Sequence, residues 1–320
     1  MKDNPVINKQ TRTRIVEKAE EMGHRSNNFA SNLRKQKSHT IGVIVHELNS
    51  NFITSVLAGI EKVTAIANYD LIIGHSSESA HKEEANVNNL FHKRVDGLIT
   101  ALAFDTENLD HYEPFFERNI PIVFFDRVEE NGKGTKVFID NFKAGYQATQ
   151  HLIDQSCKSI VHTTSSLKRN VYSQRFNGYL TALRDNNIPF NEHYLFVHDL
   201  QRESCIDCAN QIAAMQPLPD GIFTTNDLTA AFCIQVFKEK GIRVPEDIAV
   251  VGFNNDMISI IIEPKLTTIN YPGMDIGEVA ATHLINQLNG ARVTNKTNSI
   301  VLVSELIVRE SSLKKGKIRG

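Results

Sequence analysis

From Ile41 onward the chain alternates short, β-branched apolar runs with helical patterns, and this alternation restricts the fold more than any other feature of the sequence. IGVIV (41–45), LIIG (71–74), GLIT (97–100) and IPIVFF (120–125) have the length and composition of strands buried on both faces. Between the first two lies NFITSVLAGIEKVTAIA, where Ile53, Val56, Leu57, Ile60, Val63 and Ala67 fall on one stripe and Asn51 is placed to cap the helix. Repeated βα units imply a parallel sheet with right-handed crossovers and helices on both faces. The rhythm restarts after VFIDN (137–141). KSIVHTT (158–164), DGIFTT (220–225) and DIAVVGF (247–253) read as strands, and 178–187 and 228–240 as helices. Gly241 stops a helix, and Pro245 sets an extended entry to the next strand. The expected architecture is therefore α/β, with two doubly wound parallel-sheet lobes. A chain of 320 residues is long enough for two cores. Open parallel sheets bind ligands at the carboxyl ends of their strands, so two such lobes facing each other define a cleft.

Composition narrows the class. With 41% hydrophobic and 22% charged residues and no apolar run of about 18, the chain reads as a cytoplasmic globular protein without a membrane span or an apolar signal core. Cys157, Cys205, Cys208 and Cys233 are then expected as reduced thiols. Cys205 and Cys208 form a C-x-x-C, but they fall in the helical pattern ESCIDCANQIAAM with no second pair at metal spacing, so they read as core. The sequence has no H-E-x-x-H, G-x-S-x-G, Walker loop or G-x-G-x-x-G. No catalytic residue, metal site or cofactor is expected. Glu129 and Glu130 beside Asn131-Gly132 read as a solvated turn, and the basic end SSLKKGKIRG as a frayed terminus.

Charge is unevenly placed. Residues 1–37 carry nine Lys or Arg against four acids, a balance of +5, so the rest must carry −7 to reach the net −2. A basic arm on an acidic body is expected where one end meets a polyanion. Within the arm, NKQTRTRIVEKAEEMG reads as one helix started by Asn8 or Thr11 and ended by Gly23, with Ile15, Val16, Ala19 and Met22 as its apolar stripe. A single helix cannot bury that stripe alone, and only MKDNPVI precedes it. The segment from Asn27 is polar and basic, with Phe29 and Leu33 as isolated apolar anchors, and runs almost without a loop into the first strand.

Taken in order, KDNPVINKQTRTRIVEKAEEMGHRSNNFASNLRKQKSHTIGVIV, NFITSVLAGIE, IPIVFFDR, IDNFKAG, SQRFNGYLTAL, FTTNDLTAAF, GIRVPEDIAVVGF and PKLTTI resemble the LacI/GalR bacterial transcription regulators over essentially the whole chain. The resemblance implies a core like the type I periplasmic binding proteins. It divides the chain into a helix-turn-helix remnant (1–25), a hinge helix and linker (26–38), a first lobe (39–140 and 271–298) and a second (141–270 and 299–320). It implies a homodimer on pseudo-palindromic operator DNA. There the hinge folds, Leu33 wedges into the minor groove, and Asn27, Ala30, Arg34 and Lys35 lie on the duplex. Two departures stand out. Ser26 and Asn28 replace the usual prolines, and the first two helices of the headpiece are missing, which implies weak operator binding, or none, by this polypeptide alone.

Carried over by motif, the effector site comprises Phe52, Asp126, Arg127, Arg169, Arg175, Asp227 and Asn254. Carboxylates accept from hydroxyls, Arg forks donate to oxygens and an aromatic face covers the apolar side, which suits a sugar or similar small polar effector. Asn254 stands where the family commonly has aspartate, and the chain has no Trp to stack on a sugar. For Asp126 and Arg127 the plainer reading is a strand-end ion pair, and for Phe52 it is lobe core. The function implied is a ligand-responsive, sequence-specific DNA-binding regulator, a repressor controlled allosterically by its effector. A sugar-binding receptor without a DNA role, or an enzyme using the cleft, are the other classes compatible with the core.

Overall fold

The computed structural model describes residues 8–21, 37–129, 131–291 and 298–314. Helix α1 spans Lys9–Glu21, with the Asn8 side chain accepting from the Gln10 amide at 3.1 Å. The side chains of Ile15, Val16 and Ala19, together with Met22, Gly23 and the expected hinge as far as Gln36, lie outside the described residues. The chain enters the core on an anchor: Asp96 accepts from the Ser38 and His39 amides at 2.7 and 2.9 Å.

Two six-stranded sheets follow. The first contains β1 (Thr40–Val45), β2 (Asp70–His75), β3 (Gly97–Thr100), β4 (Ile122–Phe125), β5 (Thr135–Ile139) and β11 (Asn298–Leu302), in the order β11-β5-β4-β3-β1-β2, all parallel. The second contains β6 (Ile160–Thr164), β7 (Leu195–Val197), β8 (Gly221–Thr224), β9 (Ala249–Asn254), β10 (Thr267–Asn270) and β12 (Leu306–Ile307), in the order β12-β10-β9-β8-β6-β7, parallel except for β12. Both sheets reverse their strand order beside the lobe's first strand, the switch point where doubly wound folds open a ligand crevice. The other helices are α2 (Asn51–Ile66), α3 (Ala80–His92), α4 (Glu113–Glu117), α5 (Asn141–Asp154), α6 (Asn170–Asp185), α7 (Arg202–Ala213), α8 (Asp227–Glu239), α9 (Ile258–Ile261) and α10 (Gly273–Leu288).

The chain passes between the lobes three times: after β5, after β10, where α10 returns to pack on α2 and the first sheet, and after β11. Residues 299–302, expected in the second lobe, therefore belong to the first sheet, because Ser299–Leu302 pair with Lys136–Ile139 of β5. One apolar cluster joins Val43, Phe125 and Ile139 of the first lobe to Phe253, Ile269 and Tyr271, and a separate cluster fills the outer part of each lobe.

Four further local expectations are corrected. Ser50, not Asn51, caps α2, accepting from the Ile53 amide, because its backbone is extended while Asn51 is already helical. Strand β2 is only partly buried, since it forms the sheet edge. Helix α6 begins two turns before Gly178, burying Val171, Tyr172 and Arg175 in a stretch whose polar letters hide the period. The terminus is not frayed at its start: Ser311 donates to the Val250 carbonyl at 2.7 Å and accepts from the Thr267 amide at 2.9 Å. Ser312 meets Thr267 at 2.6 Å and His151 at 2.7 Å. Cys205 and Cys208 lie on α7, and all four cysteines are buried free thiols.

Candidate functional site

The ends of β4 and β10 meet between the lobes. Asp126 follows β4 with φ of 57°, a left-handed backbone that aspartate tolerates at some cost and that recurs at ligand sites. Its Oδ1 accepts from the Tyr271 hydroxyl at 2.5 Å, and burial raises the carboxyl while Arg127 opposes the shift. Tyr271 follows β10, stacks on Phe52 at 4.2 Å and sets its edge against Phe253 at 5.8 Å. Phe52 thus closes the first-lobe side of an aromatic wall shared by both lobes.

Arg127 ties three elements together. Its Nη1 donates to both oxygens of Glu78 at 2.8 and 2.6 Å, its Nη2 donates to the Tyr172 hydroxyl on α6 at 3.0 Å, and its plane lies 4.2 Å over Phe104. Burial works against its charge, but Tyr172, Glu78 and Asp126 outweigh that and hold the guanidinium firmly protonated. Glu78 is presented by a turn in which Ser77 and Glu78 both have positive φ, pinned by the Glu78 amide donating to the His46 carbonyl at 3.2 Å. Beside it, a ring nitrogen of His46 and a carboxylate oxygen each of Glu47 and Glu78 lie within 4.8 Å of one another, a polar floor at the ends of β1 and β2. Asn170 clasps the strand end, donating to the Asp126 carbonyl at 3.3 Å and accepting from the Val128 amide at 3.1 Å.

The second lobe supplies Arg175 and Arg169. Arg175 lies 3.5 Å over Phe253, with Nε donating to Asn141 Oδ1 at 2.8 Å and Nη1 to the Thr225 carbonyl at 3.1 Å. Its placement depends on close packing of α5 on α6: a Cβ on Gly178 would fall 2.2 Å from the Phe142 carbonyl oxygen, and one on Gly145 2.2 Å from that of Arg175 itself. Arg169 precedes α6 and donates through Nη2 to the Thr106 carbonyl of the first lobe, leaving its buried Nε without a partner. Burial lowers the proton affinity of both guanidiniums. Next to Asn141, which holds Arg175, a cavity of about 220 Å³, partly open to solvent, is lined by Phe138, Asp140, Asn141, Phe142, Asn170 and Gln174 among others. It is smaller than most small-ligand sites, and none of the expected effector residues lines it.

Asp227 and Asn254 belong to a different set. Asp227 is fully buried, accepting from Thr268 Oγ1 at 2.6 Å and from the Asp256 amide at 2.7 Å. Burial outweighs those bonds and pushes its carboxyl up to about 8. Asn254, with φ of 111°, donates to Asp256 Oδ2 at 3.3 Å. Neither side chain bonds to Asp126, Arg127 or Arg175. Of the expected effector residues, Phe52, Asp126, Arg127 and Arg175 are thus linked by direct contacts through Tyr271, Tyr172 and Phe253, and Arg169 stands at the mouth. Asn27, Ala30, Leu33, Arg34 and Lys35, expected on DNA, lie outside the described residues. Sequence reasoning missed Tyr271, Tyr172, Phe253, Phe104 and Glu78. The legible signal was an aromatic just past, or ending, the strands β9 and β10.

Two matched lobes, crossed three times by the chain and meeting over an arginine-rich aromatic cleft, define the ligand-binding core of a ligand-responsive regulator. Residues 149–312 match the periplasmic binding protein-like domain family. Catabolite control protein A of Priestia megaterium is 30% identical over 287 residues, covering 89% of this chain and 86% of that protein. The HTH-type transcriptional repressor PurR of Erwinia tasmaniensis is 29% identical over 318 residues, covering 96% and 91%. A LacI-type regulator of Alkaliphilus metalliredigens, solved with D-xylulofuranose, superposes with a TM-score of 0.72 at 25% identity over 86% of this chain and 99% of that one. The chain belongs to the LacI family of transcriptional regulators, and is a ligand-responsive repressor rather than a free-standing receptor. Its named relatives are regulators, not enzymes. Among the described residues no helix is long and apolar enough to cross a membrane.

Proposed function

We propose that the cleft binds a small polar effector such as a sugar, and that its occupancy sets the affinity of a homodimer for operator DNA in the cytoplasm. The observation that carries the reading is the bridge between lobes: Arg127 with Tyr172, and Arg169 with the Thr106 carbonyl, join groups whose separation must change if the lobes move. The lobes are taken as 39–140 with 271–302 and 141–270 with 303–314. A ligand that replaces these contacts in one placement and not another shifts the equilibrium between placements. Operator and effector then change each other's affinity by the same factor, ordinarily about 5- to 150-fold. Phe52, Asp126, Arg127, Arg169 and Arg175 form the site, Asp227 and Asn254 shape its second-lobe rim, and the ligand leaves unchanged.

On the DNA side, Leu33 is the minor-groove wedge, with Asn27, Ala30, Arg34 and Lys35 along the duplex. Self-association is supported by α9 and the residue before it, where Met257 and Ile261 are 62% and 66% exposed and Ile260 is 47% exposed. The test is a thermal-shift screen of small polar ligands. A hit must raise the melting temperature, lose that effect in Arg175→Ala, and alter operator affinity; a hit indifferent to Arg175 refutes the site. Leu33→Ala should weaken salt-sensitive operator binding, and Ile261→Asp should shift sedimentation toward monomer.

A further inference from the structure

Three guanidinium groups converge on the cleft, Arg127 from the first lobe and Arg169 and Arg175 from the second, each more than nine-tenths buried. Arg127 and Arg175 flank the same ring, with Cζ atoms 5.5 and 5.9 Å from the Tyr172 centroid. Arg169 lies three residues before that tyrosine, and Arg127 is near enough to work against the proton of both Arg169 and Arg175. Only Arg127 has an ion-pair partner, Glu78. Arg169 donates to a carbonyl, and Arg175 to Asn141 and Thr225, all neutral acceptors. Among the described residues neither has a carboxylate within salt-bridge reach. The Nε atoms of Arg127 and Arg169 are buried without any partner.

The acidic side of the cleft is thin by comparison. Asp126 serves Tyr271, and Asp227 faces its own loop and is neutral below about pH 8. The end of β9 carries the amide of Asn254. Glu83, Glu129 and Asp105 act on Arg169 only through space, and Glu83 spends both oxygens on Ala103, Thr106, His111 and Tyr112. Buried cations with neutral partners and orphaned donors are costly, and an anion placed among them offsets that cost.

We propose that the effector is anionic: a small polyhydroxylated molecule bearing a phosphate or carboxylate group, held between Arg127 on one lobe and Arg169 and Arg175 on the other. The inference rests on the effector reading of the cleft and deepens it. Arginines facing each other across the lobes repel, and an anion between them turns that repulsion into a clamp with charge-assisted, forked hydrogen bonds. Closure is thereby tied to the ligand's charge as well as its shape.

The test follows melting of the full chain at constant ionic strength with matched sets: ribose, its phosphate and its acid; glucose, its phosphate and its acid; and neutral disaccharides and nucleosides with their phosphorylated counterparts. The phosphorylated or the carboxylated member of a set should raise the melting temperature where the neutral parent does not, and which of the two does so identifies the anion. Arg169→Gln should weaken that ligand about tenfold or more, as should Asn254→Asp, a partly exposed position where a carboxylate is added without loss of packing. Neutral parents that stabilise as well as their charged derivatives overturn the anionic class and leave the effector reading standing. Stabilisation by no member of any set overturns both.

Discussion

The two lobes share one winding, β2-β1-β3-β4-β5 in the first and β7-β6-β8-β9-β10 in the second, yet they use their strand-end carboxylates in opposite directions. Asp126, after β4, turns outward and meets Tyr271 at the crossover where the chain leaves β10 and returns to the first lobe. Asp227, following β8, turns inward and holds Thr268 and the Asp256 amide of its own lobe. One carboxylate anchors the crossover that returns to the first lobe; the other stiffens the loop between β9 and α9. A place after a parallel strand therefore fixes where a side chain begins, while packing decides what it serves. Arg127 and Arg175 repeat the contrast, since Arg127 reaches across to Tyr172 and Arg175 is held by Asn141 and Thr225 beside its own sheet.

The contrast can be broken experimentally, beginning with its most costly element. Asp227→Ala strands the Thr268 hydroxyl and the Asp256 amide in a buried site, so unfolding in denaturant should show a loss of about 3 kcal/mol, whereas Asp126→Ala should lose less stability and more effector response. Arg127→Ala leaves Glu78, which is a quarter exposed, without its cation; after allowing for solvent screening, a loss of about 2 kcal/mol is expected in the same measurement. A smaller loss than at Tyr271 would mean that the Arg127 bridge does not hold the lobes.

pH sharpens the comparison further. Because Asp227 is raised in the folded state to about 8, the folded protein binds a proton that the unfolded chain releases near its ordinary carboxyl value. Stability from this group is therefore present at low pH and falls as pH rises toward 8, with a slope of up to about 1.4 kcal/mol per pH unit. Asp227→Asn should flatten that slope in melting curves between those limits, and an unchanged slope would show that Asp227 is ionised. The smallest effect is expected from Tyr271→Phe, which removes one hydroxyl from Asp126 and keeps the stack on Phe52: about 1 kcal/mol in stability, with a shifted effector affinity.

Much of the fold was legible because hydrophobic period and strand length are local properties. GLIT coincides with β3, the runs after Lys158 and Asp220 contain β6 and β8, and the run after Asp247 covers all of β9 but its last residue, Asn254. Less legible were β7, only three residues and half exposed, and β11, whose place depends on a partner some 160 residues earlier. The same limit applied to the terminal serines, which look like a tail until Thr267 and Val250 are placed beside them.

The site divides along the same line. The letters determined that a doubly wound lobe would present Asp126 and Arg127 at a strand end, and the resemblance to the LacI/GalR regulators placed Arg175 opposite them, because strand period and motif order are carried by the chain itself. Only the tertiary structure decided that Tyr271 answers Asp126, that Glu78 and Tyr172 share Arg127, and that Asp227 faces inward. Those pairings join residues tens to more than a hundred positions apart, and burial, not sequence spacing, sets both their partners and their charge.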